Sequence, residues 1–412
     1  MRISPILSAL LRNKTGAVLV AVQVALSLAI LANALHIVNV RQVVAARPSG
    51  IADESAVFYT TSRYLMAKES AEYDLAAQRR ELAVLRAIPG VASVATTSQM
   101  PLSDSGNNNS LAIDRKQVKE SANGSVYRTG ESLVQTMQLK LVEGRDFTPA
   151  DVLEVDAQVS NEFPKTTIIT KALADKLWPN QSAVGKTLFY GYGEDGNPTQ
   201  VIGVVERLQS PWAQVDEEGE FSTMLPDRRL GGTIRNTYVV RTEPGQRDRV
   251  LKEAEAALIK SAGVPLIVKS RTSTEDRTER YRADIAMSWM LVTVSVLLLV
   301  ITASGIVGMA SLWVTQRRKQ IGVRRALGAR RVDILRYFIT ENVMITSLGV
   351  VCGVLLAIAL NQLLVSKLEM ARLPLVYLFS GVGVFYALGI LAVYGPAWRA
   401  ASTSPALATR SA

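Results

Sequence analysis

One cysteine and one histidine occur in 412 residues, Cys352 and His36. A single thiol cannot close an intramolecular disulfide, and one thiol with one imidazole cannot assemble a Cys/His metal site. Triads and zinc motifs that need a histidine in the soluble part are excluded; carboxylate-only metal sites are not. Charged residues make up only 20% of the chain, and acidic ones are nearly missing from part of it. Residues 41–284 hold 31 Lys/Arg and 33 Asp/Glu, a net −2, which leaves 15 basic and 3 acidic residues elsewhere, a net +12. A nucleic-acid-binding protein would carry its excess on the soluble domain. Here the excess hugs the apolar segments, a membrane-orientation signature, and nucleic acid is not an expected partner.

Nucleotide motifs are missing too. Gly191-Tyr-Gly-Glu-Asp-Gly196 fits G-x-G-x-x-G, but that fingerprint needs a helix after it to meet a pyrophosphate, and Asn197-Pro198 and a strand pattern follow. It reads as a hairpin turn. Gly185-Lys186-Thr187 resembles the end of a phosphate-binding loop, but position 180 is Asn where Gly is required. The chain is therefore not expected to hydrolyse ATP itself.

What the sequence does have is long apolar runs. Residues 1–15 read as an amphipathic lead, with Ile3, Ile6, Leu7, Leu10 and Leu11 set against Arg2, Arg12 and Lys14. Residues 16–40 are almost wholly apolar, long enough at 1.5 Å per residue to cross a bilayer of roughly 30 Å. A cleaved signal peptide ending near Ala32-Asn33-Ala34 is the alternative; either way the next segment lies outside. Further spans are expected at 285–314, 338–364 and 375–398, with a tail at 399–412. The fold class that follows is an α-helical membrane protein with four transmembrane helices and a large extracytoplasmic α/β and β-rich domain between the first two. Gly349-x-x-x-Gly353 allows close helix approach, within the chain or between two chains. Gln23 and Asn33 are polar groups in hydrocarbon and should face protein or solvent. His36 reads as an interfacial structural residue.

The outside part, 41–284, is large enough for two subdomains. Strand, helix and strand patterns at Ala56–Ser62, Ser70–Ile88 and Val91–Thr97 are matched near its far end by Thr233–Thr242, Arg247–Ala262 and Val264–Ser270. Two β-α-β units predict a membrane-proximal α/β subdomain over 41–98 and 233–284. The insertion, 99–232, opens with a polar loop, Asp104–Ser110, and continues with short strands at Thr166–Thr170, Thr187–Tyr190 and Thr199–Val205 and a small helix at Lys171–Leu177. It predicts a β-rich subdomain.

Between the second and third spans, residues 315–337 carry Arg317, Arg318, Lys319, Arg324, Arg325, Arg330, Arg331 and Arg336, with Asp333 the sole acid. Such a connection belongs in the cytoplasm, which puts both termini there as well. Arg317–Leu327 is helix-compatible, Gly328 suits a helix end and Asp333 the first turn of the next helix. The pattern predicts a short helix, a sharp turn, and a helix continuing into the third span. On charge alone, anchoring phospholipid headgroups would explain the arginines equally well.

At this elbow the sequence resembles the MacB/FtsX-type permeases of ABC transporters. Their basic-x-Glu-Ile-Gly-hydrophobic-Arg-x-Ala-hydrophobic-Gly-Ala stretch is closely matched by Lys319-Gln-Ile-Gly-Val-Arg-Arg-Ala-Leu-Gly-Ala329, and the match continues through Asp333, Ile334, Phe338 and Glu341. Ile88-Pro-Gly-Val91, Gly144-Arg-Asp-Phe147, Leu173-Ala174, Trp178–Thr187 and Val201–Val205 resemble the MacB-like periplasmic core; Pro396–Ala400 and Pro405 fit the tail. The resemblance implies that the short helix docks on an ABC ATPase through Gln320, Ile321, Gly322, Arg324, Arg325, Leu327, Gly328 and Ala329. It implies an ATPase supplied in trans, which binds the ATP and Mg, with no cofactor in this chain. It further implies a second permease, in a homodimer or heterodimer, a bacterial inner-membrane location and a periplasmic ectodomain. A periplasmic adaptor, an outer-membrane channel and membrane lipid are further partners it admits. Gln320 departs from the family's Glu, and predicts one half of an asymmetric pair with weaker coupling on its side.

The expected function is the permease subunit of an exporter or mechanotransmitter, moving its outside domain when the ATPases close. The alternative is a signalling subunit that controls a cell-wall hydrolase or senses antimicrobial peptides. The size of 41–284 favours export. A membrane-anchored enzyme is disfavoured by the missing histidines and nucleotide motifs.

Overall fold

A computed structural model describes residues 14–65, 70–212, 217–231, 235–368 and 372–402. The apolar side of the expected amphipathic lead and the tail beyond residue 402, Pro405 and Arg410 included, lie outside them. In chain order the main elements begin with α1 (Lys14–Ala45), β1 (Val57–Tyr64), α2 (Ala71–Arg86) and β2 (Val91–Thr96). Then come β3 (Asn108–Ala112), β4 (Ala122–Arg128), α3 (Leu133–Met137), β5 (Leu141–Gly144), β6 (Leu153–Asp156), β7 (Thr166–Thr170) and α4 (Lys171–Leu177). The β-rich part continues with β8 (Thr187–Tyr190), β9 (Asn197–Val205), β10 (Ser222–Leu225) and β11 (Asp227–Leu230). β12 (Arg235–Thr242), α5 (Arg247–Ser261) and β13 (Leu266–Thr272) precede the helices α6 (Ser273–Gln316), α7 (Arg318–Ala326), α8 (Arg331–Leu368) and α9 (Leu375–Ser402). The chain divides into two compact units, one of residues 43–283 and one of residues 1–42 with 284–412.

In the unit 43–283, a four-stranded sheet has the order β13-β1-β12-β2 with every neighbouring pair antiparallel. The two β-α-β patterns are real in sequence order, but their strands are not neighbours. β12 lies between β1 and β2, and β1 lies between β12 and β13, so two split units interleave. Each strand's apolar alternation marks which face is covered, and says nothing of which strand sits beside it. α2 starts where the Ser70 side chain accepts from Tyr73 N at 3.2 Å, and ends before Pro89-Gly90, with Gly90 at φ +89°. Its Leu82 and Leu85 pack with Phe58, Tyr238, Val240, Val250 and Leu258 under one face of the sheet.

The second sheet runs β5-β9-β7-β10-β4-β3-β8, and β8 also pairs with β9, which closes it on itself. Closure leaves β5 as the one strand of this sheet with a single partner among the described residues, and helps such short strands stay ordered. β8 and β9 form a hairpin with Tyr190 opposite Asn197, so the Gly191–Gly196 stretch is a turn, with Gly191 at φ +92° and Gly193 at φ +77°. The expected polar loop at Asp104–Ser110 is only half a loop. From Asn108 it is a strand against β4, where Ser125 Oγ donates to Asn108 Oδ1 at 2.8 Å. Side-chain amides and hydroxyls supply there what apolar alternation would have signalled.

In the other unit, α1, α6, α8 and α9 are each long and apolar enough to cross a membrane. The helices exceed the expected spans: 16–40 lies within Lys14–Ala45, 285–314 within Ser273–Gln316, 338–364 within Arg331–Leu368, and 375–398 within Leu375–Ser402. Hydropathy reports the apolar part of a helix, and backbone hydrogen bonding carries it on through polar residues. α1 is mostly buried and the others much less so. A methyl group added at Gly349 would stand 2.7 Å from Ala21 O, and one at Gly353 3.0 Å from Ala25 O. Gly349-x-x-x-Gly353 therefore packs against α1 of the same chain. Ser27 and Thr302 share a hydrogen bond of 2.9 Å, and Asn33 Nδ2 donates to Ala29 O at 2.9 Å and Ala357 O at 3.2 Å. Gln23 lies against Gly305. Both polar residues face protein. His36 is buried, its ring 5.3 Å from that of Tyr377.

Candidate functional site: the basic elbow

The elbow is α7 with its two turns. α6 ends at Gln316, α7 follows at once, and Gly328 at φ +95° reverses the chain before α8. A positive φ is readily adopted by glycine, so the helix ends at Ala326, one residue short of the expected Leu327, which is its cap before Gly328. Asp333 Oδ2 then accepts from Arg330 N at 3.0 Å, closing the first turn of α8.

The helix has two different faces. Ile321 and Gly322 are buried, and Ile321 shares an apolar cluster with Ile334, Phe338, Ala397, Ala400 and Ala401 of α8 and α9. Arg325 lies half-buried on the same side and donates to the Ala401 carbonyl. At the helix start, Arg317 Nη1 donates to Glu341 Oε2 at 2.7 Å, and Glu341 is only 1% exposed. The Tyr337 ring lies between two cations, with the Arg317 guanidinium 6.0 Å and the Arg324 guanidinium 5.2 Å from its centroid. These contacts hold α7 to its own chain.

Away from these contacts lie Val323 and Leu327, at i and i+4, and Gln320 and Arg324 stand exposed on the flank beside Tyr337. Leu327 is 83% exposed and Val323 51%. Arg318, Lys319, Arg330, Arg331 and Arg336 of the same elbow are exposed as well. Gln320 makes no hydrogen bond among the described residues, and lines a small crease with Arg317 and Arg324.

The eight residues singled out from sequence therefore separate. Gln320, Arg324, Leu327 and Gly328 are exposed, Ala329 is partly so, and Ile321, Gly322 and Arg325 turn toward α8 and α9. An i, i+4 apolar pair on a basic helix could have pointed to Val323, which the sequence reading left out. Tyr337 and the Arg317–Glu341 pair gave no comparable signal, since 24 residues separate the two charges.

The MacB-like periplasmic core domain model matches residues 22–257, more than half of the chain, and the FtsX-like permease C-terminal model matches residues 292–405. The macrolide export ATP-binding/permease protein MacB 2 of Yersinia pestis bv. Antiqua is 26% identical over 312 residues, 72% of this chain and 43% of the relative. The macrolide export ATP-binding/permease protein MacB of Neisseria gonorrhoeae is 28% identical over 296 residues, 68% of this chain and 42% of the relative. The chain thus spans less than half the length of these curated relatives. The periplasmic region of MacB from Actinobacillus actinomycetemcomitans matches with a TM-score of 0.34 at 16% identity, over 54% of this chain and 91% of that one.

Proposed function

From the premise that this chain belongs to the MacB/FtsX-type family of ABC transporter permeases, we propose that α7 is the surface on which an ABC ATPase docks to drive the permease. The observation that carries the reading is the two-faced helix. One face is tied to α8 and α9 by Ile321, Arg325 and the Arg317–Glu341 pair, and the other leaves Val323 and Leu327 exposed on a helix rich in cations. Exposed apolar side chains among cations suit a protein interface; a helix lying in lipid headgroups has the same anatomy, and co-purification of the ATPase separates the two. The basic elbow is cytoplasmic in this reading, the unit 43–283 is periplasmic, the membrane is the bacterial inner membrane, and two permeases and two ATPases form the working unit. ATP hydrolysis moves the elbow, and α6 and α8 pass the movement on. The size of the outside unit favours export over the signalling alternative.

Arg324→Glu combined with Leu327→Glu should abolish co-purification of the ATPase and its stimulated hydrolysis, and leave the permease folded, because neither side chain is buried and the exposed Arg324–Tyr337 contact is worth only about 0.5–1 kcal/mol. Retained association would overturn the assignment. Gln320→Glu is the finer test. Within the helix a carboxylate at 320 would sit one turn before Arg324, worth about 0.2–0.5 kcal/mol as an exposed pair. Across an interface it would gain more by meeting a cation of the ATPase. Stimulated hydrolysis should rise; an unchanged rate would remove the idea that Gln320 marks the weaker half of an asymmetric pair.

A further inference from the structure

The sheet β13-β1-β12-β2 packs α2 and α5 on one face, while on the other α3 and the second sheet cover only part of it, with Val57, Ala95 and Val239 against Leu133 and Met137. Along β1, Phe58, Ser62 and Tyr64 turn to α2 and α5, so Tyr59, Thr61 and Arg63 point the other way. Together with the segment 98–105 this second face encloses a cleft of about 380 Å3, the size of a small-molecule pocket.

Its charge is unusual for a sheet. The register sets Arg63 directly opposite Arg235 of β12, and sets Lys269 of β13 opposite Thr61, one step along the same face. Like charges opposite one another destabilise a strand pair, so folding gives no reason for this cluster. Among the described residues, Arg63, Arg235 and Lys269 have no ion pair or hydrogen bond. The nearby carboxylates are committed elsewhere. Asp276 lies 3.1 Å from Arg271, which also pairs with Glu279, and Asp104 lies 3.4 Å from Arg280.

A second observation points the same way. Gln99 lines the cleft and is 4% exposed. Its Oε1 accepts from Asn107 N at 2.7 Å, while its Nε2 is buried without a partner. A buried amide donor left unsatisfied in a native fold calls for an acceptor that the protein itself does not supply. Beside it the lining is apolar, with Met100 and the exposed flank of Ile267.

We propose that this cleft binds an anionic amphiphile, its charged head held by Arg63, Arg235, Lys269 and the Gln99 amide and its apolar body laid along Met100 and Ile267. Binding needs neither an ATPase nor ATP, so it stands or falls separately from the docking role of α7.

The test uses the full chain in phosphatidylcholine nanodiscs, titrated calorimetrically with octyl phosphate, octyl glucoside and inorganic phosphate, with empty discs subtracted. Saturable octyl phosphate binding is expected, with the other two probes weaker by roughly tenfold or more. Arg63→Gln combined with Lys269→Gln should weaken octyl phosphate by a similar factor, while Lys171→Gln, exposed on α4, should not. Arg63→Gln alone should leave the unfolding temperature unchanged or raise it, since it relieves repulsion from Arg235. Equal affinity for octyl glucoside or inorganic phosphate, undiminished binding by the double variant, or a lower unfolding temperature for Arg63→Gln would each overturn the proposal.

Discussion

Glu81 and Glu341 are both buried carboxylates, and the two units satisfy them in different ways. Glu81, on α2 in the unit 43–283, accepts from three hydroxyls: Ser62 Oγ at 2.7 Å, Tyr64 OH at 2.6 Å and Tyr238 OH at 2.7 Å. The hydroxyls come from two strands and tie α2 to the sheet without a direct ion pair. Burial and the adjacent Glu81 hold the Tyr64 phenol above its ordinary range, so it stays protonated and donating. Glu341, about three turns into α8, is held by one guanidinium, Arg317. A carboxylate shared by neutral donors survives the loss of any one of them. A carboxylate held by one cation is all or nothing, and its loss frees the end of α7.

The contrast extends to packing. The unit 43–283 fills its interior with side chains such as Phe58, Leu85 and Tyr238. The helical unit brings backbones together instead, with Gly349 and Gly353 against α1, and uses carbonyls as acceptors for Asn33. Lipid gives helices no hydrophobic reason to associate, so close backbone approach and hydrogen bonds replace it.

The largest effect should come from Glu341→Ala, which leaves the half-buried Arg317 with only Tyr337 against it, at a cost of about 3 kcal/mol. Glu81→Ala leaves three hydroxyls that each find a weaker partner, about 1–3 kcal/mol. Thermal unfolding of the two variants ranks them directly, and a Glu81 variant that loses more stability breaks the contrast. Gly349→Leu should cost about 1–3 kcal/mol by overpacking against Ala21 and Val24. Its signature is a lower unfolding temperature that does not depend on protein concentration. A concentration-dependent shift would mean that the glycines pack between chains.

The smallest effect concerns Asp74, on α2. Burial raises its pKa, although Gln78, Asn236 and Gly231 N oppose the shift. A raised carboxyl binds protons more tightly in the folded state, so its contribution is greatest below the ordinary carboxylate range and is lost as pH rises through the folded pKa. Asp74→Asn cannot titrate, and the difference in stability between pH 4 and pH 7 should shrink. An unaltered pH profile would show that Asp74 is not strained by its burial.

Much of this was legible in the sequence for local reasons. Thr166–Thr170, Lys171–Leu177 and Thr187–Tyr190 fall where residue pattern places them, because neighbours in sequence decide whether a segment is helix or strand. Gly328 and Asp333 mark the elbow for the same reason, since the αL turn and the helix cap are local chemistry. The four apolar helices follow from the bilayer's thickness. Which faces of α7 are spoken for was not legible. Ile321 and Leu327 are both apolar and both in the family pattern, and only the positions of Ile334, Phe338 and Ala401 bury one and leave the other in the open.

Sequence alone determined the number of spans, the basic elbow and the alternation of helix and strand, all of which depend on composition and on contacts a few residues apart. Tertiary structure decided the interleaving of the two β-α-β units, the closure of the second sheet through β8, the seating of Gly349 and Gly353 on α1, and the placing of Arg63 opposite Arg235. These are pairings between residues far apart in the chain. Their energies depend on which surfaces meet, and no single segment carries that information.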